Sequence, residues 1–241
     1  MLNSLDIALL FDNRTVDGVG NVITKDRSRN GINAQLGNGV DAGTMPTWDA
    51  TRGLYTFDGG DYLTFSIAGD VGGILDSMGS IQNETYIVVM DPIMINSYAA
   101  PQYLFASKWG AGGNSYFYIQ LEAINNRIRF ILADAAGNLE ILDLPGAEGV
   151  LLHGKRVMLT WVREPTHATE PQRLFVNAVK RATAATTPRD AHYSCDKYIG
   201  CHAGIAANLY NGTSLRFFGY ARRCLTTTSL QAIQKYLRGV I

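Results

Sequence analysis

The chain has 241 residues, of which 46% are hydrophobic, and its 21 basic residues balance its 21 acidic residues. A hydrophobic fraction of this size is that of a globular protein and excludes a disordered chain. Because the formal net charge is zero, neither nucleic acid nor an anionic membrane surface is expected as a partner. The sequence has no apolar run of the roughly 18 residues that a membrane helix needs, so no membrane insertion is expected.

Short β-strand patterns recur along the sequence. They are runs rich in aromatic and β-branched residues, and they are bounded by Gly, Asn, Asp or Pro. The predicted strands are Asp6–Phe11, Gly53–Phe57, Tyr62–Ile67, Glu84–Asp91, Gln102–Ser107, Tyr116–Glu122, Arg127–Asp134, Leu139–Leu144, Lys155–Arg163, Arg173–Val176 and Thr213–Tyr220. Turn residues at Asn125-Asn126 and at Ala136-Gly137-Asn138 predict an antiparallel meander from Ser115 to Leu144.

Two of these strands are nearly continuous apolar runs, at Thr85–Met90 and Arg156–Val162. A strand with this pattern is covered on both faces, as in the middle of a two-sheet sandwich. The predicted fold class is therefore all-β, with two antiparallel sheets packed face to face.

One helix is predicted near the end of the chain. Leu230, Ile233 and Leu237 are spaced so that they form one apolar face. Thr226 is expected to cap the first turn, and Gly239 is expected to lie just past the last turn. This helix should lie across the sandwich.

An ordered set of motifs spans nearly the whole chain. Its members are Asp26-Arg27-Ser28-Arg29-Asn30-Gly31, Phe57-Asp58-Gly59-Gly60-Asp61-Tyr62, Ser107-Lys108-Trp109, Leu174-Phe175-Val176-Asn177, Ile199-Gly200 and Asn211-Gly212-Thr213. In this order they resemble laminin G-like domains of the concanavalin A-like lectin and glucanase class. The resemblance implies one jelly-roll sandwich domain over residues 1–241.

The resemblance also implies where a calcium ion could bind. In many members the Asp of the first motif shares calcium with an acidic pair in the penultimate strand. Here that pair is replaced by Leu215 and Arg216, which removes carboxylate ligands and adds a repelling cation. Asp26 and Asn30 are therefore predicted to be turn residues, and no metal is expected.

Glycoside hydrolysis requires two carboxylates about 5 to 9 Å apart. The glucanase relatives place theirs on one strand as E-x-D-x-E or E-x-D-x-x-E, and this pattern is absent here. The glutamates are Glu84, Glu122, Glu140, Glu148, Glu164 and Glu170. They are predicted to be solvated outward residues, so no enzyme is expected. A degenerate glycosidase using Glu122 and Glu140, which share the predicted meander, is the weaker alternative.

A zinc site is a further alternative, at His192, Cys195, Cys201 and His202. These residue types suit zinc, but the usual paired spacings are missing, and adjacent strand residues such as Cys201 and His202 point to opposite faces. The prediction is therefore free thiols, including Cys224, and no cofactor.

Candidate ligand-binding residues lie in or beside predicted loops. Sugars are bound by aromatic faces together with amide and charged hydrogen-bonding groups, and the chain offers Trp109, Asn114, Tyr116, Tyr118, Tyr210 and Asn211. The competing interpretation places the same aromatic residues in the core or in a subunit contact.

The expected function is binding or assembly. The N-terminal segment has no basic start and its short apolar run contains Asp6, so it is not expected to be a signal peptide. A jelly roll made in the host cytoplasm without an export signal suggests a virion protein of a phage, such as a capsid decoration protein, head fibre or tail-associated adhesin. The expected partners are capsid or tail proteins, further copies of the chain, and host-surface glycan. The alternative is a soluble carbohydrate-binding lectin.

Overall fold

The computed structural model describes residues 2–39, 42–91, 102–107, 116–122, 125–146, 155–185, 189–190, 196–200 and 213–240. The strands are β1 (Ile7–Leu10), β2 (Thr15–Val16), β3 (Val22–Thr24), β4 (Ala34–Leu36), β5 (Thr47–Asp49), β6 (Leu54–Thr56), β7 (Leu63–Phe65), β8 (Glu84–Asp91), β9 (Gln102–Ser107), β10 (Tyr116–Glu122), β11 (Arg127–Ala133), β12 (Leu139–Pro145), β13 (Val157–Arg163), β14 (Gln172–Val176), β15 (Val179–Ala184), β16 (Lys197–Ile199) and β17 (Ser214–Ala221). Helix α1 spans Thr227–Val240, and 3-10 turns occupy Leu2–Ser4, Ala42–Thr44, Ile67–Gly69 and Val71–Gly73.

The strands form two antiparallel sheets. The eight-stranded sheet has the order β15-β14-β13-β8-β17-β6-β5, with β1 also paired to β17. The nine-stranded sheet has the order β12-β11-β10-β9-β16-β7-β4-β3-β2. The predicted meander is present as β10, β11 and β12. The fold is a β-sandwich of the jelly-roll kind, as the sequence predicted.

The main core lies between the sheets and is built around aromatic rings. The ring of Tyr86 lies 4.8 Å from that of Phe117, 5.4 Å from that of Trp161 and 4.9 Å from that of Tyr220. Tyr86, Trp161 and Tyr220 come from the eight-stranded sheet, whereas Phe117 comes from the nine-stranded sheet. The contact of these rings excludes water from the space between the sheets and contributes attraction beyond the buried area.

A second core covers the outer face of the eight-stranded sheet, so β8 and β13 are buried on both faces as predicted. Leu230, Ile233 and Leu237 of α1 are all at most 2% exposed and pack there. The Thr226 hydroxyl accepts a hydrogen bond from the amide of Ser229 at 3.2 Å, which confirms the predicted cap. The predicted helix end was wrong, because Gly239 lies inside α1 without a left-handed backbone.

A buried ion cluster closes one end of the main core. Arg163 donates two hydrogen bonds to Glu140, at 3.1 and 3.0 Å, and one to Glu84 at 3.3 Å. These three side chains are 0% exposed. The hydroxyls of Tyr86 and Tyr220 donate to the other oxygen of Glu84, at 3.0 and 2.9 Å. Since Glu140 belongs to the nine-stranded sheet, Arg163 connects the two sheets.

The prediction that the glutamates are solvated was wrong for Glu84, Glu122 and Glu140, which are 0%, 5% and 0% exposed. A buried carboxylate is tolerated when cationic and hydrogen-bond donors surround it, and each of these three has an arginine partner. Glu164 and Glu170 are partly exposed and pair with Arg173 and Lys180. Glu148 lies outside the described residues.

Two of the sequence motifs meet at the β6–β7 connection. The carboxylate of Asp61 accepts a hydrogen bond from the amide of Asp58 at 2.8 Å. Gly200 has a φ of +89°, and a Cβ at this position would lie 2.5 Å from the ring of Phe57. Only glycine fits this close approach, which explains the pairing of the two motifs in space.

Replacing Arg163 by Met should strongly destabilise the fold, because two buried carboxylates would lose their cation. We expect the free energy of unfolding to fall by about 3–5 kcal/mol, measured by urea denaturation. Arg27→Met is the matched control, since Arg27 pairs with Asp12 at the surface and such pairs contribute about 0–1 kcal/mol. If Arg163→Met lowered the free energy of unfolding no more than Arg27→Met does, Arg163 would not be the stabilising cation of the buried cluster.

Asp61 should make stability depend on pH. Burial raises the pKa of Asp61 to about 6. The hydrogen bond from the Asp58 amide lowers this pKa and the negative charge of Asp58 raises it, and burial is the larger effect. The folded pKa lies above the unfolded value of about 3.9, so the folded state holds the proton of Asp61 more tightly than the unfolded state does. The stability that this gives is fully present below about pH 4 and is lost as the pH rises through about 6. Urea denaturation between about pH 4 and 6 should show a smaller decline in the free energy of unfolding for Asp61→Asn than for the unchanged protein. The same decline in both proteins would rule the effect out.

Candidate functional site

The candidate site lies on the outer face of the nine-stranded sheet, where β10, β11 and β12 run side by side. Residues that alternate with the core positions of these strands point away from the sandwich. The outer polar network is the name we give to the hydrogen-bonded polar residues among them, together with Asn125 of the β10–β11 turn. It comprises Gln120, Glu122, Asn125, Arg127, Arg129 and Asp143.

The outer polar network is held by charge-assisted hydrogen bonds. Arg129 binds both oxygens of Asp143, at 2.7 and 2.8 Å. Arg127 donates to Glu122 at 2.6 Å and to Asp143 at 3.2 Å. Two guanidinium groups and two carboxylates therefore alternate, and the network is neutral. The hydrogen bonds to Asp143 raise the pKa of Arg129 above its usual value.

Side-chain amides complete the outer polar network. Gln120 donates to Glu122 at 2.6 Å, and Asn125 donates to the other oxygen of the same carboxylate at 2.8 Å. Both carboxylate oxygens of Glu122 therefore accept hydrogen bonds. These bonds compensate for the burial of the charge on an outer sheet face. The side chains of Arg127, Arg129 and Asp143 remain 26%, 18% and 32% exposed, so they are accessible to a ligand.

A pair of tyrosines borders the outer polar network. Tyr103 lies opposite Gln120 in the β9–β10 register. Its ring lies 5.1 Å from the ring of Tyr118, and the two are nearly perpendicular. Tyr103 is partly exposed, whereas Tyr118 is 6% exposed. The site thus combines one accessible aromatic ring with fixed donors and acceptors.

The structure places only part of the predicted ligand-binding set. Tyr118 borders the outer polar network, and Tyr116 begins β10 opposite Ala133. Trp109, Asn114, Tyr210 and Asn211 lie outside the described residues. Tyr103, Arg127, Arg129 and Asp143 were not predicted as site residues, although charged and apolar residues alternate visibly in the sequence of β11 and β12.

Glu122 and Glu140, the carboxylate pair of the glycosidase alternative, do not come together. Glu122 belongs to the outer polar network, whereas Glu140 points into the core and binds Arg163. The nine-stranded sheet therefore separates the two carboxylates, and they cannot flank one glycosidic bond. The carboxylates that do approach each other on the outer face share the same arginines.

Asp26 is a turn residue, as predicted. Its carboxylate accepts hydrogen bonds from the amides of Ala8, Ser28 and Ile32, at 2.8, 2.8 and 2.9 Å, and from the Ser28 hydroxyl at 2.6 Å. Asn30 donates to the carbonyl of Asp6 at 2.7 Å. Asp26 thereby fastens the β3–β4 connection to β1.

Two further described residues were considered with the metal sites: Arg216, for calcium, and Cys224, as one of the three cysteines. Arg216 binds the carboxylate of Asp91 at 2.6 and 2.9 Å. Burial raises the pKa of the free thiol of Cys224 to about 11. His192, Cys195, Cys201 and His202 lie outside the described residues, and in the described ranges no three His, Cys, Asp or Glu side chains group as metal ligands do. Nor does any described helix have the length and apolarity to cross a membrane.

Replacing Asp26 by Ala should destabilise the protein without any involvement of calcium. Three backbone amides would lose a charged acceptor, and hydrogen bonds to charged groups contribute about 1.5–3 kcal/mol each. We expect the free energy of unfolding to fall by about 3 kcal/mol in urea denaturation. The melting temperature of the unchanged protein should be the same with calcium chloride as with a chelator. A calcium-dependent rise that Asp26→Ala abolishes would show a metal site instead.

Comparison with known proteins identifies the fold. No family model matches the sequence, and no curated protein matches it either. The solved structures that match include the ligand-binding domain of botulinum neurotoxin serotype D in complex with N-acetylneuraminic acid, at a TM-score of 0.66 and 12% identity. They also include the binding domain of botulinum neurotoxin DC with SialylT, at 0.67 and 9% identity, and the same domain with rat synaptotagmin II, at 0.69 and 9% identity.

Each of these three matches covers 98% of this chain and 52% of the neurotoxin domain. The chain therefore spans about half the length of the solved structures it resembles. At these identities the likeness establishes a shared β-sandwich fold, and the neighbours are binding domains rather than enzymes.

Proposed function

We propose that this chain is a non-catalytic binding domain that recognises a saccharide on the outer face of its nine-stranded sheet. The observation that carries the proposal is the outer polar network beside Tyr103. Two guanidinium groups and two carboxylates hold one another in fixed positions there, and three of these side chains are still accessible. We also propose that the chain is a divergent laminin G-like, concanavalin A-like domain.

The chemistry of this face suits a sugar. A saccharide presents many hydroxyl groups, each able to donate and accept, together with apolar C–H surfaces that pack on aromatic rings. Arg129 and Asp143 offer a donor and an acceptor side by side, 2.7 Å apart. Because these groups are already held by each other, less conformational freedom is lost when a ligand binds.

The neutrality of the network favours a particular ligand class. Two arginines and two carboxylates leave no net charge on the outer polar network. A strongly charged ligand would therefore gain little from it, whereas a ligand rich in hydroxyl groups can pair with the accessible donors and acceptors of Arg127, Arg129 and Asp143. The solved neurotoxin domains include complexes with N-acetylneuraminic acid, which is an anionic sugar, and with SialylT. These complexes support saccharides in general as the first class to test, and the neutral network favours an uncharged one.

The virion hypothesis stays a prediction from the sequence. Under this hypothesis the saccharide-binding face belongs to a decoration, fibre or tail protein that contacts host glycan. Mass spectrometry of purified particles tests it: high copy beside a major capsid protein would indicate decoration, and low copy beside tail proteins would indicate adhesion. Absence from particles would leave the soluble lectin.

Glycan-array screening of the full chain should identify a bound saccharide, and its affinity should depend on the outer polar network. Arg129→Ala and Tyr103→Ala should each weaken binding by about tenfold or more, which corresponds to about 1.4 kcal/mol. Isothermal titration with the best array ligand measures this. Arg27→Ala and Tyr236→Ala are the controls, since both side chains are exposed and neither belongs to the outer polar network.

Two results would overturn the assignment of the face. One is a bound saccharide whose affinity is the same in the Arg129 and Tyr103 variants as in the controls. The other is the absence of binding to any saccharide on the array. Circular dichroism and the melting temperature of each variant separate loss of binding from loss of folding.

A further inference from the structure

A cleft on the opposite side of the sandwich has the composition of a second binding site. It lies between α1 and the outer face of the eight-stranded sheet, and its cavity volume is about 70 Å³. Val89, Met158 and Leu237 form its apolar floor, and they are 3%, 2% and 2% exposed. It is therefore separate from the proposed saccharide-binding face.

The rim of the cleft is polar and cationic. Arg156, Asn177, Gln234 and Arg238 line it, and no carboxylate is among the described residues that do so. In the orientation that satisfies its hydrogen bonds, the Gln234 amide donates to the carbonyl of Asn177 and accepts from Arg238, both at 3.1 Å. Gln234 thereby holds the Arg238 guanidinium at the rim.

The backbone beside the cleft is also fixed. Asn177 has a φ of +51°, a left-handed conformation that asparagine tolerates better than most residues. Its side-chain oxygen accepts a hydrogen bond from the amide of Met158 at 2.9 Å, and its own amide donates to the carbonyl of Met158 at 2.8 Å. The floor and the rim of the cleft are thus tied to each other before any ligand arrives.

The surroundings of Arg156 carry an excess of positive charge. Asp91 is already bound by Arg216 at 2.6 Å, while Arg156 and Arg52 lie 3.7 and 3.9 Å from its oxygens. Arg52 also lies 4.0 Å from Asp49. Among these described residues three arginines face two aspartates, which leaves one positive charge, and Arg238 adds a second on the lining of the cleft. Burial and the nearby arginines lower the pKa of Arg156, although Asp91 acts in the opposite direction.

We propose that this cleft binds a small organic anion, with its carboxylate between Arg156 and Arg238 and its apolar part on the floor formed by Val89, Met158 and Leu237. The planar guanidinium group matches a carboxylate in geometry and forms strong, charge-assisted hydrogen bonds with it. Burial of an alkyl or ring group on the floor adds hydrophobic attraction. The unbalanced charge at the rim distinguishes this site from the neutral outer polar network.

Isothermal titration of the full chain at constant ionic strength tests this proposal with sodium hexanoate, sodium acetate and 1-hexanol. We expect saturable binding of hexanoate. Acetate, which lacks the apolar chain, and hexanol, which lacks the charge, should each bind at least about tenfold more weakly. This comparison separates an amphipathic anion site from a purely apolar cleft and from a general cation patch.

Variants locate the site. Arg156→Met and Arg238→Met should each weaken hexanoate binding by at least about tenfold, whereas Arg27→Met should leave it unchanged. Arg238 is exposed, so its variant keeps the test valid if Arg156→Met fails to fold. Affinity for any saccharide found on the array should be the same in all three variants, which keeps this proposal independent of the saccharide site.

The proposal is overturned if hexanoate does not bind. It is also overturned if hexanol binds as tightly as hexanoate, or if neither Arg156→Met nor Arg238→Met weakens hexanoate binding.

Discussion

The buried guanidinium of Arg163 is the interaction on which the joining of the two sheets most directly depends. It lies between Glu140 of one sheet and Glu84 of the other, and all three side chains are without solvent exposure. Charges in this position are costly unless every group is satisfied. The hydroxyls of Tyr86 and Tyr220 satisfy the remaining oxygen of Glu84, so the ion cluster and the aromatic core constrain the same side chains. The relative placement of the sheets, and hence of both outer faces, follows from this arrangement.

Most of the long strands could be predicted from the sequence, as could the three-residue strands β6 and β7. The strands that were not predicted are β2, β3, β4, β5, β15 and β16. Glu84–Asp91, Gln102–Ser107 and Tyr116–Glu122 have the predicted bounds, because each is a continuous or alternating apolar run bounded by turn residues. β2 and β16 were not predicted, since strands of two or three residues are too short to show a periodic pattern. The position of β16 is set by pairing with β7 and β9, which are distant in the sequence, and a single sequence does not reveal that pairing.

The candidate site was harder to predict than the fold, for a related reason. From sequence alone, a charged residue is predicted to be exposed unless its ion-pair partner is known. The partners of Glu140 and Asp143 lie on other strands. Glu140 is buried because Arg163 meets it from 23 positions away, and Asp143 is bound by Arg129 from 14 positions away. Trp109 and Tyr210, which were predicted to lie in loops, stood out by their type, whereas the outer polar network is recognisable only once the strand register brings its members together.

The edge strand β15 has a consequence for assembly. It ends the eight-stranded sheet, and it carries Lys180 and Arg181, both exposed, the former paired with Glu170. Among the described residues β15 has β14 as its only strand partner, and charged side chains on such an edge oppose continuation of the sheet from one molecule into the next. Symmetric self-association of this chain is therefore disfavoured through this edge. Fibre growth by strand addition is therefore opposed at this end of the eight-stranded sheet, whereas β5 forms its other end.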